Sequence, residues 1–226
     1  MTGAVIFDLD GTVLDNEGEW ESVFRQVAEN NNLQSKGAWI HEPGIGITAN
    51  WKRHFSSDPG LVDKLTRETW NLYNEMFKVQ SAKFKVREGI VDLVAKIKGL
   101  GWMTALCTSS TWNVVEPELA ELNMYLAFDV TTTGEEVLLA KPDPEIFLLT
   151  TQKLGVEPGE CLVIEDSLAG VRAASSGGMK SAGLVSGYAG REELLQSGAT
   201  WAVYKIEEIG QILDGLVKLN KSEVGE

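Results

Sequence analysis

The stretch Val5-Ile6-Phe7-Asp8-Leu9-Asp10-Gly11-Thr12 decides how this chain is read. A β-branched and aromatic run ends in two acids one residue apart, followed by a glycine and a threonine. On a strand, residues i and i+2 point to the same face. At a strand's end that spacing brings the carboxylates of Asp8 and Asp10 together, at the edge where α/β sheets bind ligands. Gly11 lets the backbone turn tightly and come close to an anion. Two acids, a tight turn and a hydroxyl suit Mg²⁺ and phosphoryl chemistry. Taken alone, the octapeptide reads equally well as an acidic turn closing a strand.

Similar apolar runs recur along the chain. Ala4 to Phe7, Met103 to Cys107, Ala127 to Thr131, Cys161 to Ile164 and Ser181 to Val185 read as buried strands, with Thr200 to Tyr204 a weaker sixth. Helical patterns lie between most of them: one through Ile90, Leu93, Val94 and Ile97, stopped by Gly99 and Gly101, then Pro144 to Leu154, Ser167 to Ser175 and Arg191 to Gln196. This alternation predicts an α/β fold with a doubly wound, Rossmann-like parallel sheet. Residues 16–83 break the rhythm. They hold no strand-like run, and Trp20, Val23, Phe24 and Val27, then Leu61, Leu65, Trp70, Tyr73 and Phe77, mark amphipathic helices. The pattern predicts a small helical domain over 16–83, inserted into a core made of 1–15 and 84–226. Trp20, Trp39, Trp51 and Trp70 fall in the insert and are expected mostly to pack its interior. The tail after Leu219 reads as frayed.

Composition bounds the function. The 226 residues are 43% hydrophobic and 23% charged, with a net charge of −13, which predicts a soluble globular protein and argues against a nucleic-acid or anionic-membrane surface. An anionic substrate would then need cations placed locally. Cys107 and Cys161 sit inside apolar runs and read as core residues, with no disulfide or zinc spacing. With no apolar stretch long enough for a membrane span and no signal-like start, the expectation is a cytoplasmic protein.

Three further segments join the first. Met103 to Cys107 runs into Thr108-Ser109-Ser110-Thr111, whose hydroxyls and amides suit a phosphate. Lys141 precedes Pro142-Asp143-Pro144, a rigid helix start that would hold its charge toward an anion. Cys161 to Ile164 ends in Glu165-Asp166-Ser167, a second acid pair where charge is costly unless a cation compensates it. A doubly wound sheet gathers all four along one edge.

On these four segments, in this order, the chain resembles the haloacid dehalogenase-like hydrolase superfamily. The phrases KPDPEIF and VIEDSLAGVRAA, with a helical cap inserted after the first motif, resemble its phosphatase and β-phosphoglucomutase branch. The resemblance covers essentially the whole chain and implies roles. Asp8 would be the nucleophile that forms an aspartyl-phosphate. Asp10 would protonate the leaving oxygen and then activate water. Mg²⁺ would sit on the Asp8 carboxylate, the Asp10 carbonyl and Asp166, with Glu165 nearby or as an additional ligand. Lys141, Thr108, Ser109 and the Gly11 turn would hold the phosphate. The acid at Asp10 implies an oxygen leaving group, hence phosphate esters rather than carbon–halogen or carbon–phosphorus bonds.

The expected reaction is hydrolysis of a small phosphorylated metabolite by a monomeric enzyme. A sugar phosphomutase is the alternative, but related mutases carry a histidine where this chain has Trp20. A non-catalytic module has little to recommend it, since every motif residue is present. Trp20, Trp51, Lys52, Arg53 and Trp112 are the expected substrate contacts.

Overall fold

The computed structural model describes residues 3–33, 41–80 and 84–223. Six strands among them form one parallel sheet: β1 (Ala4–Phe7), β2 (Met103–Thr108), β3 (Val130–Thr133), β4 (Cys161–Glu165), β5 (Lys180–Leu184) and β6 (Trp201–Val203). Their order is β3-β2-β1-β4-β5-β6. The chain winds outward from β1 in one direction, then returns and winds outward in the other. The crevice at the carboxyl ends of β1 and β4 is therefore the topological switch point, where such sheets bind ligands.

Alternation along the buried strands builds two core layers. Val5 and Phe7 of β1, with Leu162 and Ile164 of β4, face α4 (Ile90–Gly99), α5 (Trp112–Glu121) and α9 (Ile206–Glu223). Ala4 and Ile6, with Cys161 and Val163, face α6 (Glu145–Leu154) and α7 (Leu168–Ser176). Both cysteines are buried and free, as small core residues. A short helix, α8 (Arg191–Gln196), covers the β5–β6 end.

The expected α/β architecture is present, with three local differences. β3 starts at Val130 rather than at residue 127. Phe128 is buried against Phe7, and the Asp129 carboxylate accepts the Thr104 amide, so this apolar approach packs and turns before the ladder begins. α5 has Pro117 in its interior, which hides its helical pattern in the sequence. α9 continues past Leu219 to Glu223; residues 224–226 lie outside the described residues.

Between β1 and β2 come α1 (Glu17–Asn30), α2 (Ile47–Phe55) and α3 (Pro59–Gln80). Their apolar faces form a separate core of Trp20, Phe24, Trp51, Leu65, Tyr73 and Phe77. Val114 of α5 belongs to the same cluster, so this helical layer is seated on the sheet domain through α5. Trp39 lies outside the described residues. Where the layer joins the sheet domain, the Arg87 guanidinium donates to the carbonyls of Gly11 (2.6 Å) and Thr12 (3.1 Å) and to Asp15 (2.9 Å). Arg87 thereby fixes the loop that leaves β1.

Candidate active site

Asp8 follows β1 directly and is buried. Lys141 Nζ, also buried, lies 2.6 Å from Asp8 Oδ1 and 2.6 Å from Glu165 Oε1. The lysine is fixed from its own side of the sheet. Glu145, in the first turn of α6, accepts the amides of Leu138 and Leu139, and the Phe147 ring lies 5.0 Å from Nζ. The other Glu165 oxygen accepts from the Ser167 amide (3.1 Å) and hydroxyl (2.8 Å). The Ser167 hydroxyl in turn accepts from the Gly170 amide and caps α7. A Cβ at Gly170 would lie 1.8 Å from Glu165 Oε1, so the helix start must be bare to admit this carboxylate.

Asp166 is buried, and Thr12 Oγ1 donates to its Oδ1 at 3.3 Å. Its Oδ2 has no hydrogen-bond partner among the described residues. Gly11, at φ +78°, passes so close that a Cβ would sit 2.1 Å from that same oxygen. Among the described residues, Asp8, Glu165 and Asp166 form one group whose oxygens all lie within 4.8 Å of one another. Three buried carboxylates thus face a single lysine. Burial first, then Glu165, raises Asp8 well above the usual carboxylate range against the pull of Lys141, and the same two causes push Asp166 up to about 8. Burial works against the charge on Lys141, but Asp8 and Glu165 outweigh it and raise its pKa. Unbalanced charge and an orphaned buried oxygen fit a divalent cation on Asp8 and Asp166. Glu165 stands beside them with both oxygens committed to Lys141 and Ser167.

Asp10 is partly exposed and satisfied by three donors. Asn16 Nδ2 and Trp20 Nε1 each donate to Oδ1 at 2.7 Å, and Ser110 Oγ donates to Oδ2 at 2.9 Å. Thr108 is buried at the end of β2, its hydroxyl accepting the Ser110 amide. Ser109 Oγ donates to the carbonyl of Gly44 at 2.6 Å, tying the β2 loop to the helical layer. A cavity of about 420 Å³ opens over these groups, lined by Asp8, Asp10, Thr108, Ser109 and Lys141 below and by Glu17, Trp20, His41, Lys52 and Trp70 above.

A family model described as haloacid dehalogenase-like hydrolase matches residues 2–178. The chain belongs to that family. It is 32% identical over 212 residues to the phosphorylated carbohydrates phosphatase of Thermotoga maritima, spanning 93% of this chain and 97% of that protein. A hydrolase from Pseudomonas syringae superposes with a TM-score of 0.84 at 23% identity, over 95% of this chain and 99% of that one. A β-phosphoglucomutase from Clostridium difficile gives 0.80 at 24%, over 96% and 99%. Those two likenesses show the fold. Within its family the chain is a hydrolase of the phosphatase branch.

The structure sorts the residues singled out in the sequence. Asp8, Asp10, Thr108, Ser109, Lys141, Glu165 and Asp166 meet at one edge, and Trp20 and Lys52 line the cavity above them. Gly11 does not present its amide to that cavity: the N–H donates to Asn16 Oδ1 at 3.0 Å, and the residue serves the close approach of Asp166. Trp51, Arg53 and Trp112 lie away from the cavity. Trp51 is buried and donates to Thr69 Oγ1, Arg53 pairs with Glu42 at 2.6 Å, and Trp112 packs edge-on against Tyr125. Four residues that the sequence reading missed do reach the site. Asn16 precedes α1 as an ordinary cap would, yet its side chain makes no cap bond to the helix and turns to Asp10 instead. Ser110 stands in the sequence as one hydroxyl among four, Thr108-Ser109-Ser110-Thr111, with nothing to single it out. Glu17 stands three residues before Trp20, an acid on the buried face of α1, and that break in the stripe is its signal. His41, 3.3 Å from Glu17 and stacked on Phe24, has no such signal. Burial lowers its pKa to about 4, so it is uncharged near neutral pH.

Two outcomes follow from this geometry. Asp166 holds its proton more tightly in the fold than in the unfolded chain. Metal-free stability should therefore fall as pH rises from about 4 to about 8. Saturating Mg²⁺ should raise the melting temperature of chelator-treated protein by more at about pH 8 than at about pH 5; equal shifts would contradict the assignment. Separately, Trp51→Phe should cost about 1 kcal/mol of stability in urea titration with KM unchanged, whereas Lys52→Ala should raise KM with stability unchanged.

Proposed function

We propose that this protein is a Mg²⁺-dependent phosphatase that hydrolyses a small phosphomonoester, a sugar phosphate or a metabolite of similar size, through a phosphoryl group carried on Asp8. The observation that carries this reading is the division of labour between two acids of one strand end. Asp8 is buried and held by a lysine; Asp10, two residues on, faces the same cavity and is surrounded by neutral donors. One suits a nucleophile fixed in place and the other a proton carrier.

In this reading Asp8 attacks phosphorus as the ester P–O bond breaks, and Asp10 gives its proton to the departing oxygen. Asp10 then takes a proton from the water that cleaves the aspartyl-phosphate, which restores Asp8 and releases phosphate. Lys141 and Thr108 hold the transferring oxygens, while Glu165 and Ser167 keep the lysine in position. Asp8 and Asp166 would hold Mg²⁺, which when bound offsets the repulsion between a carboxylate and an incoming phosphate. Residues 16–83 act as a cap over the core of 1–15 and 84–226. Their aromatic and polar lining suits a small hydroxylated leaving group, in keeping with the phosphorylated carbohydrates named for the Thermotoga maritima relative. Trp20 supports a hydrolase over a mutase. An indole N–H can orient Asp10 but cannot accept or relay a proton.

A panel of metabolite phosphates, assayed for both released phosphate and isomerised product, tests the proposal. The expected result is Mg²⁺-dependent phosphate release that drops by about three orders of magnitude or more in Asp8→Asn. Interconversion of glucose 1- and 6-phosphates with little free phosphate would overturn the hydrolase reading. Equal activity on phosphopeptides would overturn the preference for small substrates.

A further inference from the structure

Glu118 is a core carboxylate that the mechanism above does not use. It lies on α5, is buried, and has one oxygen without a partner among the described residues. Its other oxygen accepts from the Tyr73 hydroxyl of α3, at 2.5 Å. Tyr73 is itself fully buried and touches both groups that reach Asp10 Oδ1. Its oxygen accepts from Asn16 Nδ2 at 3.0 Å, and its ring stacks on Trp20 with centroids 3.6 Å apart and planes within 1°. Asn16 is held at its other end, since its Oδ1 accepts the Gly11 amide. The two hydrogens of Asn16 Nδ2 are thus divided between Asp10 and Tyr73, and Trp20 can aim its N–H only where Tyr73 lets its ring lie.

We propose that Glu118 and Tyr73 form a latch between core and cap, which positions Asp10 for proton transfer by fixing Asn16 and Trp20. The proposal rests on the reading of Asp10 as the proton donor. Both are positioning residues, since neither reaches the reacting atoms. The direction of the chain supports this: Asn16 donates to Tyr73, and Tyr73 donates to Glu118, so a core acceptor sets the orientation of a cap hydroxyl. With the cap lifted, α1 and α3 leave together, so Tyr73 parts from Glu118 and Trp20 parts from Asp10. Proton donation is then available only when the cap is seated on the core. Burial, and next the charge of Asp10, push the Glu118 carboxyl up; a glutamine at this position keeps an oxygen that can accept from the Tyr73 hydroxyl.

Leaving-group dependence separates this role from simple packing. A proton donor matters most when the departing oxygen is a strong base, and least when it leaves readily as an anion. We would measure kcat/KM on benzyl phosphate and on 4-nitrophenyl phosphate, two probes of similar size. Tyr73→Phe and Glu118→Leu should lose about 10-fold or more on the benzyl ester and less than about 3-fold on the nitrophenyl ester. Glu118→Gln, which keeps the acceptor, should stay near wild type on both. Equal losses on the two esters, no loss on either, or a Glu118→Gln as impaired as Glu118→Leu would overturn the latch. Should Tyr73→Phe fail to fold, the two Glu118 variants decide. A wild-type protein that turns over neither ester with Mg²⁺ present overturns the phosphatase reading itself, and the latch with it.

Discussion

One interaction organises this molecule: the Lys141 ammonium gripped between the carboxylates of Asp8 and Glu165, 2.6 Å from each and out of reach of solvent. A buried charge is tolerated only when it is paired and its remaining bonds are met, and breaking such a pair by removing one partner is strongly destabilising. The neighbouring structure can be read as meeting that condition. Strands β1 and β4 lie side by side, so their ends bring Asp8 against Glu165 and Asp166. Ser167 satisfies the far oxygen of Glu165, Gly170 and Gly11 make room for the carboxylates, and Phe147 lies against the lysine. The Asp166 oxygen that finds no hydrogen-bond partner among the described residues, beside Asp8, marks where further positive charge belongs.

The same constraint explains how an acidic protein can accept an anion. A net charge of −13 repels phosphate at a distance, and the local field must overcome it. Lys141 and the carboxylates proposed to hold a cation are concentrated at this edge of the sheet, while the helical layer lines the cavity mainly with neutral donors and aromatic surface. Asp10 is the point of contact between the two. Its own loop belongs to the core, but two of its three hydrogen bonds come from Asn16 and Trp20, at the entry to the helical layer and in its first helix. The proposed latch links the position of the cap to the readiness of the acid through these named side chains.

Much of this was legible in the sequence, for a physical reason. Strand-end motifs combine a hydrophobic run with charge at a location where charge is costly, and that conflict is visible without a structure; Asp8, Asp10, Glu165 and Asp166 show it, whereas Lys141 is marked by the Pro-x-Pro helix start that follows it. Fold class followed from the strand and helix rhythm, although Pro117 concealed α5 and the packing of Phe128 displaced the start of β3. The cap was less legible because tryptophan serves packing and recognition equally well. Trp20 and Trp51 look alike in sequence, yet one aims its N–H at Asp10 and the other at Thr69 in the interior. Gly11 reads as a phosphate turn, and Asn16 carries no signal of its own in the sequence. Their amide groups turn instead to one another and to Asp10, which only the three-dimensional course of the loop determines.

The account stands or falls on Asp8 as the atom donor to phosphorus. Acid quenching during turnover, followed by proteolysis and mass spectrometry, tests it directly. The account predicts a single phosphoryl group on the peptide containing Asp8, absent when Lys141 is replaced by methionine and absent without Mg²⁺. Sustained phosphate release with that peptide unmodified at every time point, or with the phosphoryl group on another residue, would contradict it.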